Sequence, residues 1–192
     1  MNLQDLTKPS SVWEQYVPII ASGRSVTAYL TDSIVEPAAY NELIETLNKA
    51  YEGDIVTLHL NTPGGVVDSG IAIRNAIRGT KAKVVAKLTG TVASAGTMIA
   101  LACDEIEVTP NLSFMCHEIS VSNISGKFSD IKNMQTFYEK QFKQLSIDVY
   151  HGFLTDAELE EMNNGKELWF SSEEVMMKWD TLHTLPETDE EA

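Results

Sequence analysis

The spacing of apolar and polar positions divides this chain into two halves with different rules. In the first half, short apolar runs alternate with helix-spaced segments. Val26 to Leu30 reads as a strand. Glu36-Pro37 then opens a helix, because proline suits a first helical position. Leu43, Leu47 and Ala50 give that helix its apolar stripe, and Gly53 closes it. Ile55 to Leu60 is a second strand, ending in Asn61-Thr62-Pro63-Gly64-Gly65. The spacing predicts a helix from Asp68 to Arg78, stopped by Gly79. Lys83 to Leu88 is a third strand. Gly90 to Ser94 reads as a small-residue turn, and Ala95 to Ala102 as a buried helix. Glu105 to Val108 and Phe114 to Cys116 are short strands. Repeated strand, helix, strand implies parallel crossover units and an α/β fold.

The second half is helical. Phe128, Ile131, Met134, Tyr138, Phe142, Leu145 and Val149 recur every three or four residues. They predict one long amphipathic helix over 128–150. Thr155 with Glu158, and Ser171 with Glu174, are capping-box spacings that start two further helices. No internal repeat or low-complexity linker interrupts the chain, which reads as one domain with a helical arm.

Composition narrows the partners. The 192 residues suffice for a real core, and 43% are apolar. The net charge of −14 argues against nucleic acid, whose phosphates need a basic surface. It also disfavours anionic membranes. Cys103 and Cys116 do not make a disulfide framework, so a reducing compartment, the cytoplasm, is expected. No segment has the apolar length of a signal peptide core or membrane span. Residues 185–192 read as an acidic flexible tail.

The candidate chemistry sits at the strand ends. Ser94 lies between Ala93 and Ala95 at a helix entrance, where small neighbours let a carbonyl approach the hydroxyl. The N–H of Ala95 is a natural oxyanion donor, and Gly64-Gly65 can expose a second. His117 ends a strand, where a base could face the nucleophile. Each feature alone is a common structural turn; their joint placement in an alternating fold points to acyl-transfer hydrolysis. His59 inside a strand reads as structural, and His151 and His183 as surface residues. Cys116 and His117 are neighbours on a strand and point to opposite faces, so Cys116 reads as packing.

Three motifs carry a resemblance: Asn61-Thr62-Pro63-Gly64-Gly65, Gly90-Thr91-Val92-Ala93-Ser94-Ala95-Gly96 and Met115-Cys116-His117. Together they resemble the signatures of the Clp protease proteolytic subunit, a serine peptidase of the ClpP/crotonase superfamily, over about Arg24 to Asp180. The resemblance implies repeated β-α-β units with a long helical handle over 128–150. It implies an N-terminal segment over 1–23 and a peptidase domain over 24–184. By the same resemblance Ser94 is the nucleophile, His117 the base, and the N–H groups of Gly65 and Ala95 the oxyanion hole. Gly64, Val66, Glu118 and Ile119 would contact substrate. Glu167, before Leu168-Trp169-Phe170-Ser171, stands where the family places an aspartate, with Asp180 as the lesser substitute.

The implied activity is cleavage of peptides or unfolded polypeptides inside stacked homo-oligomeric rings, without metal or cofactor. An AAA+ unfoldase is a possible partner. The positions matched to the family's docking pocket are Thr57, His59 and Gly79, which lack aromatics, so docking of a standard Clp ATPase is not expected. Glu118-Ile119 replaces the family's usual Gln-Pro after the histidine. A crotonase-type acyl-CoA enzyme and a catalytically silent ring subunit are the alternatives.

Overall fold

A computed structural model describes residues 17–22, 24–121 and 124–184. The predicted tail at 185–192, and most of the segment at 1–23, lie outside these residues. Among these residues seven strands form one sheet: β1 (Ile19–Ser22), β2 (Ser25–Leu30), β3 (Ile55–Thr62), β4 (Lys83–Ala93), β5 (Glu105–Val108), β6 (Ser113–Cys116) and β7 (Leu168–Phe170). Their order is β1-β2-β3-β4-β6-β7, with β5 also on β4. β2, β3 and β4 run parallel, as crossover connections require. β5 pairs with β4 at Val85 to Leu88, and β6 takes over the same edge at Thr91 to Ala93. β1 and β7 are antiparallel to β2 and β6.

Among the described residues six α-helices accompany the sheet: α1 (Asn41–Lys49), α2 (Val67–Gly79), α3 (Ala95–Ala100), α4 (Phe128–Tyr150), α5 (Asp156–Asn163) and α6 (Ser172–Thr184). Strand alternation places the core. Val56, Leu58 and Leu60 on β3, with Val84, Ala86 and Leu88 on β4, are fully buried. Between them Thr57, His59 and Lys87 face the other way and stay half-buried.

Two expectations need correction. The helix expected from Pro37 begins as a 3-10 turn over Pro37–Tyr40 and becomes α-helical only at Asn41. The turn expected at Gly90 to Ser94 is strand: β4 continues to Ala93. Gly90 takes φ 61° there, and Asn61 Oδ1 accepts the Thr91 N–H at 3.1 Å, which bridges the irregularity. The short edge strands β1 and β7 are additions to the expected set, since three or four residues show no usable period.

α4 matches its expected span. It is tied to the body near its C-terminus, where Arg74 Nη2 of α2 donates to the Asp148 carbonyl at 2.8 Å. Ser146, Val149 and Tyr150 are its buried residues. The rest of its stripe is half-buried to exposed in the single chain, with Phe128 at 85%. Both capping boxes form. Glu158 N–H donates to Thr155 Oγ1, and Thr155 N–H to Glu158 Oε2 at 2.8 Å. Ser171 N–H donates to Glu174 Oε2 at 2.7 Å.

Candidate active site

Strand register builds the site. β4 and β6 pair in parallel through Ala93 and Met115, so the chain leaves both strands side by side. Ser94 is the first residue past β4, and His117 the first past β6. His117 Nε2 lies 2.8 Å from Ser94 Oγ, a hydrogen-bond distance between a hydroxyl and an imidazole. Both side chains are half-buried.

Ser94 adopts φ 54° and ψ −125°, a conformation that L residues rarely enter. Its N–H donates to the Met115 carbonyl at 2.9 Å, and its carbonyl accepts the Thr97 N–H at 2.9 Å. The sharp strand-to-helix turn lifts the hydroxyl out of the sheet.

The two glycines follow β3 and face this turn. A Cβ on Gly64 would lie 2.5 Å from the Ser94 Cβ and 2.7 Å from the Ala93 carbonyl oxygen. Only glycine lets the two backbones touch. Gly65 forms a parallel bridge with Ile34. Its bonds run from Ile34 N–H to the Gly64 carbonyl and from Val66 N–H to the Ile34 carbonyl, each 2.8 Å. The Gly65 N–H is outside that ladder. Ala95 opens α3, so its N–H is outside the helical ladder. α3 has only six residues, so these local N–H groups matter more than a macrodipole.

Ser94, Ala95, Gly65 and His117 open on one cavity of about 370 Å³. Val66, Met98, Ile119, Leu145, Val149 and Tyr150 give it apolar walls. Of the residues expected to contact substrate, Val66 and Ile119 line this cavity. Gly64 is buried against the serine turn, and Glu118 faces a neighbouring groove between α4 and α5.

Glu167 is not joined to His117: among the described residues no hydrogen bond or ion pair links them. Its exposed carboxylate accepts the Trp169 indole N–H at 3.2 Å. Phe114, Met115 and Cys116 pair with Phe170, Trp169 and Leu168, and His117 and Glu167 each lie one residue beyond the last of these pairs.

The other histidines lie elsewhere. His59 stacks on Tyr29 with ring centroids 4.6 Å apart, and His183 packs on Trp179 at 4.2 Å. Both cysteines are free and buried, and burial pushes their thiols up, away from reactivity. No cluster of three metal-ligating side chains occurs among the described residues. None of the described helices is long and apolar enough to cross a membrane.

Sequence reasoning missed Thr97, Tyr150, Met98 and Leu145. Leu145 was counted as helix stripe, and nothing in its spacing separated cavity wall from interface. Met98 lay within a run read only as a buried helix.

The sequence profile of the Clp protease family matches residues 18–177. The chain is 27% identical over 151 residues to the ATP-dependent Clp protease proteolytic subunit 1 of Chlamydia muridarum, covering 73% of this chain and 78% of that protein. It is 29% identical over 164 residues to the ATP-dependent Clp protease proteolytic subunit of Deinococcus radiodurans, covering 84% and 76%. With proteolytic subunit 2 of Pseudomonas aeruginosa it shares 30% over 131 residues, 64% and 62% of the two chains. The profile spans every described strand and the helices as far as the first half of α6, and with the serine turn, the paired N–H groups and the apolar cavity in view, the chain belongs to the Clp protease family of serine endopeptidases.

Proposed function

We propose that the protein cleaves peptides or unfolded polypeptides with Ser94 as nucleophile, inside a chamber built from copies of itself. The 2.8 Å contact between Ser94 Oγ and His117 Nε2, at the rim of an apolar cavity, carries this reading. His117 takes the hydroxyl proton as Ser94 Oγ attacks the peptide carbonyl. The oxygen that gains charge receives the N–H groups of Gly65 and Ala95. His117 then gives its proton to the leaving amine. Water repeats the sequence on the acyl-enzyme and frees Ser94. Glu167 leaves Trp169 and accepts the His117 Nδ1–H, which fixes the tautomer that Nε2 needs. A cavity of about 370 Å³ with aliphatic and aromatic walls favours a leucine-, methionine- or phenylalanine-sized residue before the cleaved bond.

The exposed stripe of α4 packs against other subunits. Two free buried thiols fit a cytoplasmic location. The positions matched to an unfoldase pocket are polar or small, and the aromatic ring beside them, Tyr29, is stacked on His59. Thr57 lies beside the Tyr29–His59 stack, and Lys87 pairs with Glu107 at 3.1 Å in the next row. An added Cβ on Gly79 meets nothing within 4 Å, so that position supplies no apolar wall. Cleavage is therefore independent of a standard Clp ATPase. The acyl-CoA and silent-subunit alternatives are not favoured by the family match.

A fluorophosphonate probe tests the chemistry. Wild-type protein is expected to label once per chain and to cleave an apolar-site peptide without ATP. Ser94→Ala should do neither. Labelling that persists in Ser94→Ala would refute the assignment.

A further inference from the structure

We infer that Tyr150, acting through Thr97, positions the nucleophile turn; this rests on the reading of Ser94 as nucleophile. Ser94 occupies backbone space that L residues rarely adopt and that persists only where the surroundings enforce it. The enforcement on its carbonyl side is specific. That oxygen accepts both the Thr97 N–H at 2.9 Å and the Thr97 hydroxyl at 2.7 Å. Thr97 is fully buried, and its Oγ1 lies 2.7 Å from the Tyr150 hydroxyl.

The direction of this chain follows from its ends. A carbonyl oxygen only accepts, so the single Thr97 hydroxyl hydrogen goes to Ser94. The Tyr150 hydroxyl then donates to Thr97. Tyr150 is 5% exposed, and burial pushes its phenol above the ordinary range, which keeps it protonated and donating. Its ring walls the cavity, while its hydroxyl is spent on Thr97. Tyr150 is also the last residue of α4. A run of two hydroxyls thus ties the end of the long helix to the strained peptide of the nucleophile. It touches no reacting atom, so Tyr150 and Thr97 are positioning residues.

Tyr150→Phe removes one oxygen, and Thr97→Val removes one hydroxyl at nearly constant volume. Fluorophosphonate titration counts active sites, and turnover is expressed per titrated site. Each variant is expected to lower kcat about five- to tenfold, the rate equivalent of one hydrogen bond, with KM within about twofold. The double variant should be no slower than Thr97→Val, because both act through one chain. Thr97→Ser, which keeps the hydroxyl, should turn over near the wild-type rate. A merely structural role would lower melting temperature or titrated sites and leave per-site turnover unchanged. Undiminished per-site kcat in Tyr150→Phe, or additive losses in the double variant, would overturn the inference. Wild-type protein that fails to label would overturn the nucleophile assignment and this inference together.

Discussion

Removing a hydrogen-bond donor from Trp169 should make this enzyme faster. The indole N–H holds the Glu167 carboxylate at 3.2 Å, and Glu167 and His117 each lie one residue beyond the last β6–β7 pair. In the proposed mechanism Glu167 therefore has two competing partners, Trp169 and His117. Trp169→Phe keeps an aromatic ring at a position 55% exposed, so little folding energy is at stake. It deletes one exposed hydrogen bond, worth about 1 kcal/mol net, which biases the two carboxylate positions by about fivefold. If the Trp-bound position dominates at rest, kcat rises by up to about that factor. Glu167→Gln should instead lower kcat by about 10² or more, since the amide presents a donor where His117 Nδ1–H needs an acceptor. The double variant decides the matter. With the carboxylate gone, Trp169→Phe has nothing to release, so the double variant should match Glu167→Gln alone. Steady-state cleavage of a fluorogenic peptide by the assembled protein measures all four rates. Unchanged or slower turnover in Trp169→Phe, beside a crippled Glu167→Gln, would refute the competition. Full activity in Glu167→Gln would remove Glu167 from the mechanism.

Three further outcomes follow from the geometry. Gly65→Ala should cut kcat by about 10²–10³, because φ 150° suits glycine and a Cβ would collide with the Ile34 carbonyl, swinging the oxyanion N–H away; peptide assays and a mass measurement separate lost activity from lost assembly. Phe142→Glu, which breaks the 4.9 Å stack on Tyr138 and charges the exposed stripe of α4, should dissociate the assembly. An unpaired charge in such an interface costs several kcal/mol, and an unchanged particle mass by light scattering would contradict the interface. Acid should weaken the α5–α6 contact: burial alone would raise the Glu158 carboxyl, but hydrogen bonds from Lys178 and Thr155 outweigh it and lower it. The pair's stabilisation is therefore complete above about pH 4.3 and lost as pH falls through the lower folded value. The melting difference between wild type and Glu158→Gln should shrink below that pH; a constant difference at pH 3 and pH 7 would contradict the sign.

The legible parts of the fold are those whose signal is local. α4 shows its whole span in its own periodicity, and Thr155 with Glu158 announces a helix start in four residues. β4 past Leu88 was illegible for the opposite reason. Gly90 and its small neighbours look like a turn, yet a ladder needs only backbone groups, and β6 supplies the partners for Thr91 to Ala93. β7 is the same case: three residues become a strand because β6 offers an edge. At the site, residue types at strand ends marked Ser94, His117 and the two glycines. The Thr97–Tyr150 hydroxyl contact behind the turn at Ser94 was hidden, because 53 positions separate the two residues.

The placement of the site has a common physical cause. Inside a sheet every N–H is committed to a neighbour, so a ladder has no donors to offer a developing oxyanion. Donors become free where ladders stop. Gly64 and Gly65 follow the end of β3, Ser94 and Ala95 the end of β4, and His117 the end of β6, while Glu167 precedes the start of antiparallel β7. Parallel pairing of β3, β4 and β6 brings their ends to one edge, and the antiparallel turn of β7 brings its beginning there. The sheet thus fixes the spacing of these groups while leaving their polar atoms unspent. That is why scattered sequence positions acquire angstrom-level geometry without a long-range signal in any one of them.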